Sequence, residues 1–224
     1  MRQGWHDLAY LHWRYDPDEV QRLLPEGLSV DTFDGEAWVG LIPFAMRGIG
    51  LARGPAVPYL GSFSEVNVRT YVRHGSIPGV WFFSLDVDRL LPALVARATY
   101  RLPYCWGDTS HVRRGDRVET QVRRSWPARV ARSHVSVSVG DPVEADDLDV
   151  FLTARWGLYS ATRSGLRYAP VDHEPWPLRA ATVTTWDDEL IRACGLSGVV
   201  GEPHARFSEG VHVRIGLPRT VVGR

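Results

Sequence analysis

The chain has 224 residues, 44% hydrophobic and 23% charged, which is the make-up of a folded globular protein and excludes a disordered one. Its 26 basic and 26 acidic residues cancel, so no whole-molecule field draws it to nucleic acid or to an anionic membrane. Every one of the 26 bases is arginine; the chain contains no lysine. Two cysteines, Cys105 and Cys194, make neither a disulfide framework nor a metal-ligand spacing, which suits a reducing cytoplasm. The opening MRQGWHDLAY holds no apolar signal core, and no apolar run approaches membrane-spanning length. A soluble cytoplasmic protein is expected.

Residues 5–14 read as a strand. Asp16-Pro17 opens a short helix through Leu24, with aspartate as N-cap and proline at the first helical position. Leu28–Phe33 and Glu36–Met46 flank Asp34-Gly35, a type I′ hairpin signal. A Gly/Pro-rich loop leads to Ser64–Val72, SEVNVRTYV, which alternates cleanly. His74-Gly75 and Pro78-Gly79 turn that strand into Val80–Asp86. Asp88–Tyr100 carries helical spacing at Leu91, Leu94, Val95 and Ala98. Two strands follow, joined at Gly115-Asp116, then strands over Ala128–Val139 and Trp156–Thr162 with a helix near Asp147–Arg155 between them. Ser164-Gly165 turns into Leu166–Val171. Ala180–Thr185 is a strand, Asp187–Ala193 a short helix and Ala205–Ile215 a last strand. Without linker or internal repeat, many short strands and few helices argue for one β-rich α+β domain over 1–224, a mostly antiparallel barrel with a few peripheral helices.

The familiar chemical motifs are missing. RGIGLARG has the wrong glycine spacing for a dinucleotide loop and no βαβ unit around it, and neither a G-x-S-x-G elbow nor a P-loop is present. His173-Glu174 lies between prolines without the i, i+4 geometry of a zinc helix, and reads as a loop anchoring Trp176; no metal site is called. Arginines 113, 114, 117, 123 and 124, interleaved with Asp116 and Glu119, read as a solvated hairpin and not as a nucleic-acid surface.

In SEVNVRTYV, Val66, Val68, Thr70 and Val72 share one side, and Glu65, Asn67, Arg69 and Tyr71 the other. On composition alone the polar side is the wet one. Three segments change that reading. WHDLAYLHWRYDPDEVQRLLPEGLSVD resembles the opening segment of the acetoacetate-decarboxylase-like superfamily. GSFSEV resembles the segment carrying that family's active-site glutamate, here Glu65. ARATYRLPYC resembles the helix and Pro-Lys element that carries its imine-forming lysine. NVRTYV, VWFFSLD, RLPY and HxPWPL are similar to an uncharacterised, YqjF-like bacterial branch. The resemblance implies a cone-shaped antiparallel barrel with a ligand cavity inside. The polar side of the strand would then face the cavity and the valines would pack against outer elements. Strand alternation puts His6, Leu8, Tyr10 and His12 on one face of the first strand. His6 and His12 stand between lining that cavity and purely structural roles.

Where the family has Pro-Lys this chain has Pro103-Tyr104, and a chain without lysine cannot form an imine on a lysine side chain. Acetoacetate decarboxylation by that route is excluded. What remains is Glu65 to move a proton, the Tyr104 hydroxyl to donate to a carbonyl or enolate oxygen, and Arg69 to anchor a carboxylate, with Asn67, Tyr71, His6 and His12 around them. Residues two apart on one strand face lie about 7 Å apart, so Arg69 sits about 13 Å along the strand from Glu65, too far for a direct ion pair. The expected ligand is a small organic acid or other oxygenated metabolite, with no cofactor, nucleic acid or membrane; self-association is left open. A lyase or isomerase on a small keto or hydroxy acid, and a non-catalytic metabolite-binding barrel, are the two functions this set allows.

Overall fold

The structure is a computed structural model that describes residues 1–50, 61–90, 97–127, 130–163 and 165–221. Among them thirteen strands pair into one continuous sheet. In chain order they are β1 (Arg2–Tyr15), β2 (Ser29–Val30), β3 (Ala37–Gly50), β4 (Phe63–His74), β5 (Ile77–Val87), β6 (Tyr104–Arg114) and β7 (Arg117–Trp126). Then come β8 (Arg132–Pro142), β9 (Gly157–Thr162), β10 (Gly165–His173), β11 (Leu178–Asp188), β12 (His204–Ile215) and β13 (Arg219–Thr220). The helices are short: α1 (Pro17–Gln21), α2 (Asp147–Thr153) and α3 (Leu190–Ala193). Leu90 and residues 97–100 are also helical, while residues 91–96 of the expected Asp88–Tyr100 helix and most of the Gly/Pro-rich loop lie outside the described residues. No helix among those described is long and apolar enough to cross a membrane.

Local chemistry explains the ends. The Asp16 carboxylate accepts from the backbone N–H of Asp18 and caps α1, with Pro17 at its first position. Asp34 and Gly35 both take positive φ, 53° and 81°, as a type I′ turn needs. The hairpin expected around them is only one bridge long, Phe33 to Glu36. β2 instead pairs with β4, through Ser29–Arg73 and Val30–Val72. Pro78-Gly79, expected to turn the chain, lies inside β5, and the hairpin closes earlier, at His74–Ile77.

The sheet closes on itself twice. Strands β1, β3, β4, β5, β6, β7, β8, β11 and β12 form one ring, and β1, β3, β4, β5, β9, β10 and β12 form another. β5 makes the fork by pairing in parallel with β9 at Val80–Trp81 and with β6 at Leu85–Val87. β12 makes the second fork, with β11 at residues 206–208 and β10 at residues 213–215. β1, β3 and β4 are therefore a wall between two interiors. Val66 and Val68 pack with Val118, Val122, Val135, Val137 and Phe207 in the larger ring. Tyr71 packs with Phe82, Leu85, Leu158 and Val213 in the smaller one. The valines thus face a second barrel core, not the outer elements expected for them.

The first strand departs from simple alternation. Asp7 adopts φ 55°, a left-handed conformation that aspartate tolerates better than most residues, and the β1–β3 register shifts by one between His6 and Leu11. Across from it in β12, Gly210 pairs with His6 and takes φ 124°, and a Cβ there would lie 1.9 Å from the Trp5 carbonyl oxygen, so only glycine fits. The irregularity carries Gln3 and Trp5 onto the face that continues with Leu8, Tyr10 and His12. His6 turns away from it.

Arg124 corrects another reading, because it is buried and not solvated. Its Nε and Nη2 donate to both oxygens of Asp86 at 2.6 Å, and Nη2 also donates to Ser84 Oγ at 3.0 Å. Asp86 pairs across the β5–β6 junction with Cys105, next to Tyr104, so this ion pair clamps the point where the sheet forks. Arg124→Met should cost about 3–5 kcal/mol in urea unfolding by stranding a buried carboxylate, and adding Asp86→Leu should recover most of that loss.

Candidate functional site

β4 delivers Phe63, Glu65, Asn67, Arg69 and Tyr71 to the smaller ring, and β6 begins with Tyr104 facing them. A cavity of about 40 Å³ is lined by Gln3, Trp5, Glu65, Asn67, Phe82, Leu85, Tyr100, Leu102, Tyr104 and Leu158, among others. It is an apolar chamber with a few converging polar groups, the usual composition of a small-molecule site. In this state it has room for about one or two waters.

Glu65 is 3% exposed. The Tyr104 hydroxyl donates to its Oε2 at 3.4 Å, and the Asn67 side chain hydrogen-bonds it from the same strand. Burial dominates over those two bonds and pushes the Glu65 carboxyl up to about 8, so it is mostly protonated at neutral pH. Burial, and then the neighbouring Glu65, hold the Tyr104 phenol well above its ordinary range. Asn67 keeps its Oδ1 without a hydrogen-bond partner among the described residues.

Arg69, 7% exposed, lies farther along the same face and does not line the 40 Å³ cavity. It stacks over the Tyr10 and Tyr71 rings at 5.6 and 5.7 Å, and its Nη2 donates to the Leu152 carbonyl at 3.4 Å. No carboxylate side chain lies within 4.0 Å of it among the described residues, and the segments outside them contain no Asp or Glu. Among the described residues its Nε has no hydrogen-bond partner, and neither does the Tyr10 hydroxyl beneath it. A buried cation without a counter-ion is costly, and the Leu152 carbonyl in the last turn of α2 offsets only part of that cost.

Tyr71 and His12 form the next layer. The Tyr71 hydroxyl donates to Leu152 O at 2.8 Å, so His12 Nε2, 2.6 Å away, is the donor toward it. That leaves His12 Nδ1 as an unpartnered acceptor, on a ring that burial and then Arg69 keep neutral. Both residues brace the interior around Arg69, and neither touches the cavity holding Glu65. His6, by contrast, is partly exposed beside Arg47 and His212 and does not line the cavity; Gln3 and Trp5 stand in its place.

The sequence reading missed Asp149. This buried carboxylate accepts from His204 Nε2 at 2.7 Å and Arg206 Nε at 3.1 Å, and it completes a capping box with Asp146. It fastens α2 to β12 and so fixes the Leu152 carbonyl that Arg69 and Tyr71 use. Asp146, Asp149 and His204 are grouped closely enough to hold a metal ion, but both Asp149 oxygens are engaged and Arg206 opposes a cation there. An aspartate three residues after another at a helix start was the available signal. Trp176 of the HEPW loop stacks on Trp5 at 6.0 Å and meets Tyr10 edge-on at 5.5 Å, while His173 stacks on Trp156.

Residues 2–212 match the DUF2071 family, described as an uncharacterized conserved protein (COG2071), and the chain belongs to that family. It is 32% identical over 211 residues to the uncharacterized protein YqjF of Bacillus subtilis (strain 168), covering 93% of this chain and 87% of that one. An acetoacetate decarboxylase-like enzyme from Sphingomonas wittichii RW1 superposes with TM-score 0.70 at 17% identity, over 100% of this chain and 94% of its own. The enduracididine biosynthesis enzyme MppR, complexed with pyruvate, gives 0.67 at 15% identity, over 97% and 89%. Acetoacetate decarboxylase from Legionella pneumophila gives 0.66 at 13% identity, over 98% and 87%. The fold is that of the acetoacetate decarboxylase-like proteins.

The Glu65 carboxyl makes a stability prediction. Unfolded, it releases its proton near pH 4.5; folded, it holds it to about pH 8. Across that window the unfolded state binds fewer protons, so rising pH favours unfolding through this group. Urea titrations from pH 5 to 8 should show Glu65→Gln gaining on the native chain by up to about 1.4 kcal/mol per pH unit. A pH-independent difference would mean that Glu65 ionises in its ordinary range.

Proposed function

We propose that the chamber binds a small keto or hydroxy acid, and that Glu65 and Tyr104 move protons on it without an imine, in a lyase- or isomerase-type reaction. The observation that carries this reading is the buried Glu65 carboxyl, raised to about 8, with the Tyr104 hydroxyl 3.4 Å away and an otherwise apolar wall around them. A carboxyl poised near working pH exchanges protons in both directions, which is what general acid–base catalysis requires. As carboxylate it takes a proton from the carbon beside a ligand carbonyl, and as acid it returns one. Tyr104 donates to the oxygen on which the enolate charge collects. Arg69, a buried cation without a carboxylate partner, attracts the ligand's own carboxylate toward this ring. The chain's lack of lysine removes the covalent route and leaves this one.

A barrel that binds such an acid without turning it over is the second reading, favoured by that same loss of the nucleophile. Pyruvate in D₂O separates the two. Followed by NMR, exchange of its methyl protons should be accelerated by the native protein, rising with pH to a plateau above about 8. Glu65→Gln should lower the rate at least ~100-fold and Tyr104→Phe ~10–100-fold. A pyruvate-induced rise in Tm without exchange in the native protein would establish the binding reading. The absence of both would remove small keto acids as ligands.

A further inference from the structure

The chamber and the surface share a wall. Outside the β5 side of the smaller ring lies a groove of about 680 Å³, bordered among the described residues by Trp81, Phe82, Arg97, Arg101 and Leu102. Phe82 and Leu102 line both this groove and the 40 Å³ cavity that contains Glu65. These two side chains, each 8% exposed, separate the enclosed chamber, about 40 Å³ with Leu102 in this position, from the open groove outside.

The backbone around Leu102 differs from the rest of the chamber wall. Residues 101–103 belong to no strand, and Arg101 takes φ 58° immediately before Leu102. Left-handed backbone at a non-glycine residue is strained, and such strain gathers where a segment has two arrangements. Leu85 and Leu158, on the same chamber, sit in strands whose registers hold them on both sides. The groove is also charged in one sense. Arg97 and Arg101 border it, neither has a carboxylate within 4.0 Å among the described residues, and no Asp or Glu shares that border. Cations at a concave mouth raise the local concentration and the arrival rate of an anion.

We propose that this groove is an anion-receiving vestibule, and that Leu102, swinging against Phe82, is the gate through which a small carboxylate passes into the Glu65 chamber. The proposal rests on reading the chamber as the ligand site, but access to it is measurable without any ligand. Leu85→Cys places a thiol on the chamber wall, and peptide mapping by mass spectrometry distinguishes it from Cys105 and Cys194. Its modification by methyl methanethiosulfonate should quicken at least tenfold when Leu102→Ala is added. The milder Leu102→Val should give a smaller gain in the same direction. Val171→Ala, which thins the same ring away from the groove, should leave the rate unchanged. For the same thiol, the ratio of iodoacetate to iodoacetamide rates should fall at least threefold in Arg97→Gln/Arg101→Gln, since the reagents differ chiefly in charge. Rates insensitive to Leu102, or equally sensitive to Val171, overturn the gate, and an unchanged reagent ratio overturns the vestibule. Gated labelling in a protein that neither binds nor exchanges pyruvate would uphold the portal and refute the keto-acid reading alone.

Discussion

Strand β4 has no solvent face, because the two sheet closures meet along β1, β3 and β4 and leave water on neither side of that wall. Its valines must fill the larger ring, and its polar residues must find partners inside the smaller one, since a buried polar group left alone costs far more than an exposed one. Much of the structure serves that demand. Asn67 and Tyr104 attend Glu65, α2 presents a carbonyl to Arg69 and Tyr71, and Asp149 fastens α2 in place. Among the described residues, Tyr10, His12, Asn67 and Arg69 each have one polar atom without a hydrogen-bond partner. Two of these atoms, Asn67 Oδ1 and His12 Nδ1, are acceptors and one, Arg69 Nε, is a donor, so this interior face is polar in both senses.

The fork at β5 links this wall to the chemistry. Tyr104 opens β6 at the residue where β5 exchanges one partner strand for another, and the Asp86–Arg124 pair lies one position away on the opposite face. A bidentate buried pair is rigid because any displacement exposes two uncompensated charges to a low-dielectric interior. The phenol is thereby held at Glu65 by a clamp from the other barrel, so the larger interior still determines the geometry inside the smaller one.

How much of this was legible varied with the physics involved. The alternation in SEVNVRTYV sorted the β4 side chains correctly into two sets, yet alternation is silent on how many faces are dry; the inward direction came from the family resemblance. The Asp34-Gly35 turn was readable because φ > 0 at two successive positions is a local demand, whereas the partner of β2 was not, because strand pairing is decided by distant residues. The irregularity that removes His6 from the chamber left a trace, a glycine inside the alternating ARFSEGVHV, but nothing local showed that its partner across the sheet was His6, beside the left-handed Asp7. Arg124 was misread although it falls in step with Val118, Thr120 and Val122, all buried. An arginine in a hydrophobic phase is a sign of a buried partner, here Asp86 in WFFSLDV.

The missing lysine reshapes the electrostatics of the chamber as well as its mechanism. A cation beside Glu65 would hold the carboxyl ionised, and the pair would be neutral together. With tyrosine at position 104, Glu65 reaches neutrality by keeping its own proton, and the phenol beside it is neutral too. The uncompensated charge is then Arg69, two same-face positions and about 13 Å along the strand, so the interior favours an anion while its Glu65 end carries no charge. An acid drawn inward by Arg69 would then meet, about 13 Å away along the same strand face, a hydroxyl donor and a carboxyl able to take or give a proton. With tyrosine at position 104, the positive charge of this interior thus lies at Arg69, away from Glu65, where it can attract an anion without forming a bond to it.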